Sequence, residues 1–441
     1  MRSAVFQKFA KYVTRNNSPK SFATAANMSD PIVTVKQGKL QGDQLKLLNG
    51  SPYYSFKGIP YAEVPGRFLP PKPQSPWQGV KEATEHGPVC PQYDMMVKDF
   101  LEGDEHNCLS LNVYTKSLEP SSKLPVVVFF HGGAYASGSG DSTTYGPDFL
   151  LQHDVILVTI NYRLEVLGFL CLDTPEVPGN NGMRDQVEAL RWIKNNIAQF
   201  GGDVDNITLF GESAGASSAT FHLQSPMSKG LFNKIICNSG VNVADWALGR
   251  DPVGRAFRAG KALGKDLTDK NELLEFFRSV EAVKFGRITF KSMTEDEKRR
   301  GLPIHFGPVV EKKFDNVEPF LTEEPLDALL AANLQKIPMM TGYNSDEGIV
   351  LLPDGLKKLD FFNKNTKYFV PRELASRISE EEMVKLGERI KKLYVGDKDF
   401  TEETPRDLAA LMSDLHFIYP AHRYTHFYSS LAPTYVCIVF T

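Results

Sequence analysis

Residues 207–217 read Ile-Thr-Leu-Phe-Gly-Glu-Ser-Ala-Gly-Ala-Ser, and this run leaves the backbone little choice. A short apolar strand ends at Gly211, and an Ala/Ser-rich helix begins at Ala214. A chain that turns from strand to helix so tightly needs glycine at both 211 and 215, because side chains there would clash. Ser213 is then pushed out at the apex of the turn. The first N–H groups of the helix have no intrahelical acceptor and aim at the same point. Backbone donors converging on a projecting hydroxyl are what acyl transfer needs, so Ser213 is the candidate nucleophile. A bare Gly-x-Ser-x-Gly is a weak signal; the strand before it and the helix after it give it weight.

The rest of the chain alternates in the same way. Residues 125–130 and 155–160 are almost wholly apolar, as strands covered on both faces are. Between 183 and 200, Val187, Leu190, Ile193 and Ile197 recur at helical spacing, and Gly201-Gly202 closes that helix. Residues 207–210, 234–238 and 337–343 read as further strands. The charged stretches 250–300 and 370–395 read as a helical cap and outer helices. Repeated strand, loop and helix predict an α/β fold with a mostly parallel central sheet in one domain, residues 28–441.

Bulk numbers exclude several classes of function. A net charge of −3 over 441 residues offers no basic excess for nucleic acid. No run approaches the eighteen or so apolar residues of a membrane span. The five cysteines show no metal spacing, and Cys171 and Cys237 lie in apolar runs that predict buried thiols. Residues 1–27 hold Arg2, Lys8, Lys11, Arg15 and Lys20 and no acid, which leaves −8 for the remainder. This extension reads two ways: an amphipathic mitochondrial presequence, or a disordered stretch ahead of a start at Met28 in a cytoplasmic protein.

Two further segments carry candidate chemistry. An apolar strand opens into His131-Gly132-Gly133-Ala134-Tyr135, a loop whose bare N–H groups can approach a ligand closely. Downstream, 338–348 places Asp346 and Glu347 just after a strand, and either could be the acid that follows a nucleophilic serine in chain order.

Together these residues, with Asn161-Tyr162-Arg163-Leu164, Asp185-Gln186, Arg191-Trp192 and 200–203, resemble the type-B carboxylesterase/cholinesterase family from about residue 28 to about 435. The resemblance implies an α/β-hydrolase fold, Ser213 as nucleophile, Glu347 as triad acid, and an oxyanion hole of the Gly133, Ala134 and Ala214 N–H groups. It matches Cys90 and Cys108 to the family's first disulfide, a bond that a reducing compartment would leave as two thiols. No tryptophan lies between 90 and 108, which argues against a cholinesterase, since that subfamily stacks choline there. Glu212 argues against juvenile-hormone esterases, which typically carry Gln before the nucleophile. The start at Met28-Ser-Asp-Pro resembles that of the arthropod intracellular α-esterases.

The family's catalytic histidine follows a Pro-x-Tyr strand, of which Pro433-Thr434-Tyr435 is the counterpart here. His416, His422 and His426 precede it and read as structural, so no triad histidine is assigned. By the resemblance, roughly a hundred family residues beyond that strand have no counterpart in the sequence. The expected activity is hydrolysis of small-molecule esters through an acyl-serine, without cofactor or metal, impaired by the lack of the base. The alternative is a non-catalytic protein of the same fold that binds ligands or partners.

Overall fold

The computed structural model describes residues 30–94, 97–300, 302 and 305–440, so the basic stretch 1–27 lies outside the described residues. Among the described residues nine strands form one sheet: β1 (Asp43–Lys46), β2 (Pro52–Pro60), β3 (Ser110–Thr115), β4 (Leu124–Phe130), β5 (Ile156–Ile160), β6 (Gly202–Glu212), β7 (Lys234–Asn238), β8 (Met339–Asn344) and β9 (Thr434–Val439). Their order across the sheet is β9-β8-β7-β6-β4-β5-β3-β2-β1. All pairings from β9 to β5 are parallel, and the last three are antiparallel. Every residue of β3 and β5 is buried, as the continuous apolar run in β5 requires of a strand covered on both faces.

The principal helices are α1 (Asn181–Asn196), α2 (Ala214–Gln224), α3 (Pro252–Ala262), α4 (Lys270–Ser279), α5 (Glu380–Val395) and α6 (Tyr419–Tyr428). Helix α1 buries Val187, Leu190 and Ile193, the expected face. It tightens into a 3-10 turn over Ile197–Phe200 and stops at Gly201, whose φ of 79° is the left-handed stop. Its inner face carries a buried ion pair: Nη2 and Nε of Arg163 bond the two carboxylate oxygens of Asp185 at 2.6 and 2.8 Å. That forked contact ties the loop after β5 to α1.

Chain order and register place the cleft. The chain leaves β4 for β5 on one side and returns to β6 on the other, so the carboxyl ends of β4 and β6 diverge at a topological switch point. In register, Phe130 of β4 faces Gly211 of β6, and Glu212 faces Asn238 of β7. The strands end level, so the loops after them meet. One expectation needs adjustment. The strand at 207–210 begins as early as Gly202, because Leu124 of β4 pairs with that residue. Strand β8, which precedes Glu347, is the second neighbour of β6, with β7 between them.

Candidate active site

Ser213 sits between β6 and α2 with φ 54° and ψ −118°. A residue with a side chain rarely adopts such a conformation, at a cost on the order of 1–3 kcal/mol. Its surroundings enforce it. The Ser213 N–H donates to the Asn238 carbonyl at 2.8 Å, and its carbonyl accepts from the Ser217 N–H at 3.0 Å. A Cβ at Gly211 would strike the backbone of Gly215, and one at Gly215 would strike the carbonyl of Phe130. Both glycines are required by close approach, as the sequence implied.

The 131–135 loop lies against this turn. A Cβ placed on Gly132 would strike Oε2 of Glu212 and come within 3.1 Å of the Ser213 Cβ. Gly133, Ala134 and Tyr135 follow with φ of 98°, 56° and 61°. The N–H groups of Gly133, Ala134 and Ala214 have no acceptor among the described residues. His131 packs beneath the loop: its ring stacks on Tyr162 at 4.3 Å between centroids, and Nδ1 bonds the Gly132 carbonyl at 2.8 Å. Burial pushes its pKa down to about 4, so the ring is neutral and Nδ1–H donates.

Of the two candidate acids, Asp346 is exposed and bonds the neighbouring Ser345 hydroxyl. Glu347 is half-buried just beyond β8. Its Oε1 accepts from the Ser239 hydroxyl, from the Asn344 N–H at 2.8 Å and from Asn344 Nδ2 at 3.1 Å. Burial, together with the charge of Glu347 nearby, raises the Glu212 carboxyl to about 7. Two carboxyl groups and Ser213 thus share one end of the sheet. Sequence reasoning used Glu212 only as a subfamily marker and missed Ser239 altogether. No motif marked Ser239, since the Ser239-Gly240 pair after β7 lacks the Gly-x-Ser-x-Gly spacing of 211–215.

None of the nine histidines hydrogen-bonds Ser213 or Glu347 among the described residues. His222, on the helix behind Ser213, engages Ser228 Oγ at 2.7 Å and Gln186 Oε1 at 2.9 Å; burial lowers its pKa to about 3. His416 is buried and also held near 3 by burial, with Arg300 and Arg372 adding to the shift. His422 pairs with the Tyr343 hydroxyl, His86 with Asn112 and Ser142, and His305 with Glu165. His106, His153 and His426 are exposed.

Cys90 and Cys108 are joined by a disulfide with Cα atoms 4.9 Å apart, while Cys171 and Cys237 are buried thiols. Among the described residues no cluster of His, Cys, Asp and Glu could hold a metal ion, and no helix is long and apolar enough to cross a membrane.

Residues 29–439 match the Carboxylesterase family. Similar proteins include the juvenile hormone esterase of Tribolium castaneum, 39% identical over 334 residues, covering 73% of this chain and 56% of that protein. Esterase FE4 of Myzus persicae is 38% identical over 367 residues, covering 80% and 62%. The chain therefore spans less than two thirds of the length of these relatives. Among solved structures, the juvenile hormone esterase of Manduca sexta with OTFP covalently attached superposes with a TM-score of 0.83 at 29% identity, over 93% of this chain and 78% of that one. The shared architecture is the α/β-hydrolase fold.

Proposed function

The chain belongs to the carboxylesterase family, and from that premise we propose that it is built as a serine carboxylesterase for small-molecule esters. The Ser213 hydroxyl attacks the ester carbonyl, and the negative charge that develops on the carbonyl oxygen falls on the N–H groups of Gly133, Ala134 and Ala214. The alcohol leaves, and water then releases the acid from the acyl-serine. Glu347 is the acid that would orient an imidazole between itself and Ser213. The observation that carries this reading is the strained backbone of Ser213, maintained by two glycines and flanked by three unengaged N–H groups. The covalently attached ligand of the Manduca sexta protein supports a covalent route.

The base is the unfilled role. No histidine of these 441 residues is assigned to it, and a serine hydroxyl without a base is a poor nucleophile near neutral pH. Removing the histidine of such a triad costs on the order of 10⁶ in kcat, about 8 kcal/mol of barrier. We therefore propose that the 441-residue chain by itself turns over esters slowly. Saturation of Glu347 Oε1 by Ser239 and Asn344 favours a second reading, a protein of this fold that binds ester-like ligands without hydrolysing them.

Labelling with a fluorophosphonate, followed by peptide mass mapping, separates the two readings. An adduct on Ser213, absent in Ser213→Ala, supports the esterase. Tight ester binding with no adduct after prolonged exposure, with free imidazole supplied as well as without it, supports the binding protein.

A further inference from the structure

The loop from His131 to Gly138 holds three successive residues at positive φ, two of them with side chains, Ala134 and Tyr135. Such backbone persists only where its surroundings over-determine it. Part of the restraint is internal: the Gly133 carbonyl accepts from the N–H groups of Ala136 at 2.9 Å and Ser137 at 3.1 Å. The near end is held by the Tyr162 hydroxyl, which donates to the His131 carbonyl at 2.9 Å. The middle is held by the Glu165 N–H, which donates to the Tyr135 carbonyl at 2.8 Å.

At the far end Gly138 is held by one side chain, while Gly140, two residues on, is fixed by Asn161, Asn112 and Thr159. Gln92 Nε2 donates to the Gly138 carbonyl at 2.9 Å, and Gln92 Oε1 accepts from the Gly138 N–H at 2.6 Å. The other amide hydrogen goes to the Cys90 carbonyl at 3.0 Å. Gln92 is only 2% exposed, so all three contacts are made away from water, where an unpaired partner would be costly. Gly138 itself has φ 120° and lies on the His131 ring, where a Cβ would strike Nδ1. Two residues before Gln92, the chain is anchored by the Cys90–Cys108 disulfide.

We propose that Gln92 is a positioning residue for ester hydrolysis: seated by the disulfide, its carboxamide clamps Gly138 and so keeps the N–H groups of Gly133 and Ala134 turned toward Ser213. This rests on the reading of those two groups as oxyanion donors. Without the clamp, both backbone groups of Gly138 lose their partners, and the turn relaxes toward ordinary φ. Ser213 stays in place, because β6 and α2 hold it independently. Substrate binding should therefore persist while the bond-forming step slows. Cleavage of the disulfide should act through the same residue.

The test combines hydrogen exchange of the 131–140 peptide with fluorophosphonate labelling, resolved into an inhibitor affinity and a maximal rate. In Gln92→Ala the peptide should exchange faster, and the maximal rate should fall roughly 10- to 100-fold with affinity within about twofold. Gln92→Glu can still accept from the Gly138 N–H but cannot donate to its carbonyl as a carboxylate, and should fall between the two. Dithiothreitol should loosen the wild-type loop but add nothing in Gln92→Ala. If Gln92→Ala does not fold, Gln92→Glu and reduced wild type carry the same readouts. Unchanged exchange overturns the clamp, and so does a loosened loop with an unchanged labelling rate. A wild-type protein that never labels at Ser213 counts against the esterase reading alone, and the exchange result still decides the clamp.

Discussion

Ser213 and the 131–138 loop stand on β4 and β6, whose inward residues Val126, Val128, Phe130, Ile207 and Leu209 are fully buried. Glu347 follows β8, beside β9, where Tyr435, Val436, Ile438 and Val439 are all exposed, as are Ile349 and Val350 just past Glu347. On the first side, main-chain geometry fixes each reacting group: a strand-to-helix turn, a glycine pair, a level register. On the second, the carboxylate is held by the Ser239 hydroxyl and by the N–H and carboxamide of Asn344, with exposed sheet edge nearby. The side of the proposed nucleophile is therefore held by its own backbone, and the side of the proposed acid is where an added segment should matter most.

The largest expected effect comes from supplying the base that the proposed mechanism requires. Joining the segment that the family resemblance places after β9 should raise turnover of a p-nitrophenyl ester by several orders of magnitude, toward the ~10⁶ that a triad histidine contributes. Free imidazole should give a smaller, saturable gain. Ser213→Ala should abolish both gains. Stimulation that survives that substitution would show the nucleophile to lie elsewhere.

Glu347→Gln sharpens the contrast at the next level. If, as proposed, the 441-residue chain brings no imidazole to Glu347, the substitution should change its basal rate by less than about twofold. In the extended protein it should cost roughly 10³- to 10⁴-fold in kcat, the effect of a triad acid that can no longer hold its histidine. Equal losses in the two backgrounds would mean that Glu347 acts on Ser213 by another route.

The same division explains what could be read in the sequence. The turn at Ser213 was legible because glycines at 211 and 215 and an apolar strand before them admit one geometry. The helix stop at Gly201 was legible for the same local reason. The choice between Asp346 and Glu347 needed the family resemblance, since neighbouring acids differ here in burial, and burial is set by tertiary packing. Gln92 and Ser239 were not legible: a polar residue in a loop looks the same whether it faces water or clamps a buried carbonyl. The early start of β6 escaped because 203–206 read Asp-Val-Asp-Asn, mostly poor strand formers, and only Gly202 beyond them pairs with β4 again, across an irregularity in register.

Glu212 joins the two sides and gives a third prediction, in pH. Its folded pKa is raised to about 7, above the 4.5 of an ordinary glutamate, so the folded state holds a proton that the unfolded state has released. Between those values stability falls as pH rises, by of order 3 kcal/mol in all, with most of the loss complete by pH 7. Glu212→Gln should remove that slope, read as denaturation midpoints across pH 4.5–8, and should leave the protein more stable than wild type above pH 7. In labelling, wild type should slow as pH rises through about 7, when a second negative charge appears beside the forming oxyanion; the variant should not. A slope that persists in Glu212→Gln would assign it to other groups, among them Glu311, also raised to about 7 mainly by burial.

The smallest effect is expected at β9. Its residues from Thr434 to Val439, Thr-Tyr-Val-Cys-Ile-Val, carry no charge and no proline, and among the described residues it pairs on one side only, with β8. An uncharged apolar edge invites pairing with another chain, and a lysine on such a strand discourages it. Val436 is 48% exposed, so little packing is lost when it is replaced. Val436→Lys should therefore change stability by no more than about 0.5 kcal/mol while lowering concentration-dependent association in sedimentation velocity. Fluorophosphonate labelling of Ser213 should be unaffected, because the β4–β6 side does not lean on β9. A loss of 2 kcal/mol or more, or a fall in labelling, would show that the two sides are mechanically coupled and that the edge is part of the site's support.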